Sequence, residues 1–177
     1  RVNALRLNGR TTEALAEVEK AATMFRQLVA DAPANAPLRM RLATVLTQQG
    51  VVQLAAGREA DAIVSNREAV AMLDGLCAND PANARINALL SFVLLRQAPP
   101  LVRAGLAGEA AASTRRGLEM LRVQAERPGA GPSEKNDYAS WLLTCEPASE
   151  RRPAVALRLA RQAVAQQRHP VFLDTLA

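Results

Sequence analysis

The sequence predicts an all-α fold, a solenoid of antiparallel helical hairpins, on three observations. Met24, Met72 and Met120 stand 48 residues apart, as do Gly9, Gly57 and Gly105, and Ala14, Ala62 and Ala110. The turn Pro33-Ala34-Asn35-Ala36 returns as Pro81-Ala82-Asn83-Ala84. Self-similarity at a fixed period of this size marks units that each pack only on their neighbours. Composition is the third: 49% of the chain is hydrophobic but only 3% aromatic, and no run alternates with a period of two. Small and straight-chain apolar residues suit closely packed helices, and strands are not expected.

The elements follow in order. Residues 1–8 match the tail of a first-type helix whose beginning is absent. A second-type helix is expected over 10–31, with Ala14, Leu15, Ala21, Ala22, Phe25 and Leu28 as its apolar stripe. A first-type helix over 36–56 carries Leu38, Leu42 and Val45 at helical spacing, and Gly57 makes the turn. The next second-type helix, 59–79, repeats the stripe as Ala62, Ile63, Ala69, Val70, Leu73 and Leu76. Alanines occupy the positions where backbones approach, and leucine, phenylalanine and methionine fill the spaces between. Asp80-Pro81-Ala82-Asn83 stops that helix and restarts the chain, with Asn83 as cap for 84–103 and its Ile86, Leu90 and Val93.

Pro99-Pro100 falls inside this fourth helix, so a kink or break is expected near Ala98, either as a local irregularity or as a hinge. The helix over 107–126 keeps Glu109-Ala110 and Met120-Leu121. Arg127-Pro128-Gly129-Ala130-Gly131-Pro132 then makes a longer turn, and Ser133 is expected to cap a helix over 134–145 bearing Tyr138, Trp141 and Leu142. A shortened second-type helix over 153–167 and the start of a further first-type helix over 171–177 complete one solenoid fragment, 1–177. Both ends look cut, without the polar capping helix of a free-standing array, which leaves self-association through them as an alternative.

Charge and composition narrow the function. The net charge is +5, but Lys20 and Lys135 are the only lysines and the arginines are dispersed. A basic stripe with interleaved aromatics is missing, and nucleic acid is not an expected partner. The longest charge-free stretch, between Arg41 and Arg58, is too polar and too short for a bilayer, and a cytoplasmic location is expected. Cys77 holds the repeat position of Val29 and reads as a small buried residue. His169 reads as a surface turn residue beside Pro170.

No cofactor, metal or catalytic site is expected. No His/Cys/Asp/Glu cluster has ligand spacing, and phosphate loops, dinucleotide fingerprints and nucleophile elbows do not occur. Glu13, Asp61 and Glu109 are acidic at matching positions, but each lies in the first turn of its helix. There it favours the positive end of the macrodipole.

Paired helices with glycine at the inner turn and Asp-Pro before the next unit resemble tetratricopeptide repeats. The usual repeat spans about 34 residues, so these units resemble the long-helix variant of that superfamily. The resemblance implies a right-handed αα superhelix. Asn136 to Cys145, Ala154 to Ala160 and Phe172 to Ala177 look like the repeat tract found behind bacterial serine/threonine kinase domains, although no kinase motif is present. That resemblance implies an interaction or sensor segment of a larger bacterial signalling protein.

In such arrays the first-type helices line a concave groove. Its solvent-facing column is expected to hold Pro37, Arg41, Thr44 and Gln48, then Arg85, Leu89, Phe92 and Arg96, then Ser133, Asp137, Ser140 and Thr144. Arg41, Arg85 and Arg96 suit an acidic peptide, and Leu89 and Phe92 suit an apolar side chain. The alternatives are solvated arginines with Leu89 and Phe92 packed on a neighbour. A protein or peptide partner is the expected ligand, with a structural spacer or self-association module as the other reading.

Overall fold

The computed structural model describes residues 10–167 and 169–176; the expected helix over 1–8 and Gly9 lie outside them. Among the described residues there is no strand, and eight α-helices follow one another. They are α1 Thr11–Asp31, α2 Ala36–Ala55, α3 Glu59–Asn79, α4 Ala84–Arg103, α5 Ala107–Glu126, α6 Pro132–Thr144, α7 Pro153–Gln166 and α8 Pro170–Leu176. A 3-10 turn, Ala148–Glu150, precedes α7. Each helix packs on the next, and the first-type helices also touch across units, α2 with α4 and α6 with α8.

Local chemistry explains the hairpins. The Asn35 side chain accepts a hydrogen bond from Leu38 N, and that of Asn83 accepts from Arg85 N and Ile86 N, which caps α2 and α4. At the other ends, Gly57 and Gly105 take φ of 73° and 77°, a region open to glycine because it has no Cβ. Arg58 N then donates to Gln53 O at 2.8 Å and Leu106 N to Leu101 O at 2.9 Å. These bonds close the same C-terminal motif in both units.

The 48-residue register is visible in the packing. Ala14, Ala62 and Ala110 are all fully buried, each where a second-type helix meets its neighbours. One apolar cluster joins α1 to α4 through Ala22, Leu42, Leu46, Ala69, Leu73 and Leu90. A second joins α4 to α7 through Leu95, Leu121, Tyr138, Leu142, Ala156 and Leu159. The core is therefore shared between successive hairpins rather than enclosed by any one of them. Second-type helices of adjacent units are bridged at longer reach by ion pairs, Arg26 with Glu68 at 2.7 Å and Arg67 with Glu109 at 2.6 Å.

Four expectations need correction. Of the expected kink or break, the break does not occur: α4 stays helical through Pro99 and Pro100, where Ala98, Pro100 and Leu101 are buried and that packing offsets the hydrogen bonds the prolines cannot make. Ser133 is not a cap. α6 starts at Pro132 after Gly131, because proline suits the first helical position, and Glu134 is hydrogen-bonded to the Gly131 backbone. Cys77 is half-buried, with its thiol 3.4 Å from Asn87 Oδ1, since α3 turns this position to the edge of its contact with α4. Met72 and Met120 pack against the core, but Met24 is 54% exposed and Leu28 39%. No described helix covers the outer side of α1.

Candidate interaction groove

α2 and α4 lie side by side, and their facing sides leave a furrow. Between α2 and α4 one cavity of about 280 Å³ is lined by Thr44, Thr47, Gln48 and Val51 on one wall and by Leu89, Phe92 and Arg96 on the other. A second, about 320 Å³, continues it past Thr44, Leu89 and Phe92 to Met40, Ala88 and Arg85. A third, about 350 Å³, opens between α4 and α6, where Phe92 faces Trp141 and Asp137 over a floor of Leu121 and Gln124. Phe92 lines all three.

Of the residues expected in the column, Thr44, Gln48, Arg85, Leu89, Phe92 and Arg96 line the α2/α4 furrow, and Asp137 lines the α4/α6 cavity. Arg41 is exposed one turn before Thr44 and lines none of these cavities. Ser140 is half-buried, also beyond their walls. Leu89 is half-buried against the core, whereas Phe92 is 39% exposed.

Trp141 was missing from the expected column, yet it organises the groove. Its ring meets Phe92 edge to face, with centroids 6.1 Å apart at 77°. The Arg96 guanidinium carbon lies 5.1 Å from the Phe92 centroid and 5.7 Å from that of Trp141, so one cation is held by two rings. In the register Trp141 corresponds to the buried Val93. An indole is too large for that slot, and α6 leaves it half-buried at the groove. That mismatch of size was the available signal.

Electrostatics differ along the groove. No carboxylate lines either cavity between α2 and α4. At the α4/α6 cavity, desolvation and then the neighbouring Glu134 push the Asp137 carboxyl above its ordinary value. Gln124 also lines this cavity, while its Nε2 is buried without a hydrogen-bond acceptor.

The described residues thus define an all-α protein of stacked helical hairpins with a groove along its first-type helices. Comparison with protein-family models, with curated proteins and with solved structures finds no match to this chain. Among the described residues no helix is long and apolar enough to cross a membrane, and no three His, Cys, Asp or Glu side chains converge as metal ligands. His169 is exposed, and its Nδ1 accepts from Val171 N at 3.4 Å.

Proposed function

We propose that this chain is a protein–protein interaction scaffold of the tetratricopeptide-like class, without catalytic activity of its own. It takes a peptide or a partner domain along the face formed by α2, α4 and α6. One observation carries the reading: Phe92 lines three adjoining cavities walled by successive first-type helices. Each is large enough for a side chain, and together they make a track rather than a pocket. The 48-residue register supports a right-handed superhelix, and the resemblance of the last third supports a segment of a larger bacterial signalling protein.

Selection of a phage-displayed library of 12-residue peptides on the immobilised protein tests the assignment. Enriched peptides are expected to lose binding to the triple variant Arg41→Glu, Arg85→Glu, Arg96→Glu while its helical circular dichroism is retained. Unchanged capture by the folded variant would remove the groove from the interface. A spacer or self-association role is favoured instead by the exposed Met24 and Leu28 on α1. Light scattering separates the two, since a monomer mass independent of concentration excludes self-association.

A further inference from the structure

We propose that the groove selects a charge-split peptide: an acidic residue over the α2/α4 furrow, an apolar side chain against Phe92, and a basic residue over Asp137. This rests on the interaction-groove reading and adds the chemistry of the occupant. Arg85 and Arg96 stand three helical turns apart on α4, at the two cavities of the α2/α4 furrow, and between them lie Leu89 and Phe92. These cavities hold cations and no carboxylate. Across Phe92 the sign reverses, because Asp137 is the ionisable side chain of the adjoining cavity.

The two charges are available to a partner. Arg10, Arg26, Arg58, Arg67, Arg116 and Arg122 each pair with a carboxylate of this chain, whereas Arg85 and Asp137 form no ion pair among the described residues. A ligand of a single charge sign meets one favourable and one repulsive half of the groove. A nucleic-acid backbone is disfavoured for that reason. A peptide with both signs satisfies both halves.

The test uses the same displayed library on wild-type, Arg85→Glu and Asp137→Lys protein, followed by two synthetic 12-residue peptides in fluorescence anisotropy. One peptide carries an acid and a base on opposite sides of a leucine; the other replaces the base with a second acid. Wild-type protein is expected to bind the charge-split peptide at least tenfold more tightly. Asp137→Lys should reverse that preference, and Arg85→Glu should weaken the charge-split peptide about tenfold. Equal or tighter binding of the all-acidic peptide, or no response to Asp137→Lys, overturns the charge-split assignment and leaves the groove reading standing. An absence of any enriched peptide on wild-type protein removes both. Concentration-dependent dimerisation that Arg85→Glu abolishes would place a second copy in the groove and also overturn the proposal.

Discussion

The guanidinium of Arg67 on α3 lies 2.6 Å from the carboxylate of Glu109 on α5, 42 residues further along the chain. Arg26 and Glu68 are joined across the same interval, as are Asp74 and Arg116, the latter through a contact of 3.1 Å. Glu109 occupies the repeat position of Glu13 and Asp61, which instead pair with Arg10 and Arg58 three residues before them. The third unit has Leu106 where those arginines stand. Glu109 keeps its place in the first turn of α5 and uses its charge to tie one hairpin to the next.

These bridges are exposed, and each contributes modestly. Arg67→Glu is expected to lower the free energy of unfolding by about 0.5–1 kcal/mol at low ionic strength. Adding Glu109→Arg should recover most of that loss. In 0.5 M salt the difference between single and double variants should nearly vanish, because screening acts over a few ångströms there. Urea titrations at two salt concentrations measure both effects.

Gly50 is required by a close approach inside the first hairpin. A Cβ there would lie 2.6 Å from Oδ1 of Asn66, a side chain buried at 1% exposure. Gly50→Ala is expected to cost about 1–3 kcal/mol, the usual penalty of overpacking. The next unit holds Ala98 and Thr114 at the corresponding positions, both fully buried. Gly50→Ala combined with Asn66→Thr should therefore be clearly more stable than Gly50→Ala alone in thermal unfolding.

Stability should depend on pH through Glu134. Its own backbone N–H, then Arg127 at 2.8 Å and the N–H of Gly131, hold the carboxyl below its ordinary value, against the opposing effect of burial. A carboxylate depressed in the folded state contributes stability above its unfolded pKa, and that contribution is lost as pH falls through the folded value. Glu134→Gln should thus be less stable than wild type at neutral pH. The gap should close from about pH 4.5 downward, as chemical denaturation across that range will record.

The two thiols should differ in access rather than in activation. Burial raises both, chiefly by desolvation, so neither is a thiolate at neutral pH. Cys77, half-buried, should react slowly with a disulfide reagent such as Ellman's, and Cys145, at 1% exposure, only on unfolding. Two fast equivalents in the native state would contradict this packing.

The groove was partly legible in the sequence. Thr44, Gln48, Leu89 and Phe92 follow from helical spacing combined with the repeat, and they meet in one furrow. Arg41 and Ser140 follow from the same arithmetic but lie off its walls: Arg41 stands one turn before Thr44 on α2, outside the cavity linings, and for Ser140 equal spacing along the chain does not ensure equal rotation of each helix. Trp141 was hidden for the same reason, since its register position is that of a core valine. The continuity of α4 through Pro99-Pro100 was likewise beyond local rules, which count lost hydrogen bonds but not the burial that offsets them.

The sequence by itself determined the helices, their turns and the period, because caps, glycine turns and apolar stripes act over a few residues. Which helices touch across units, where Arg67 and Trp141 spend their contacts, and how charge reverses along the groove were decided only by the tertiary structure. Those features depend on the relative rotation and spacing of whole helices. Such quantities emerge from packing many side chains at once, and no short stretch of chain encodes them.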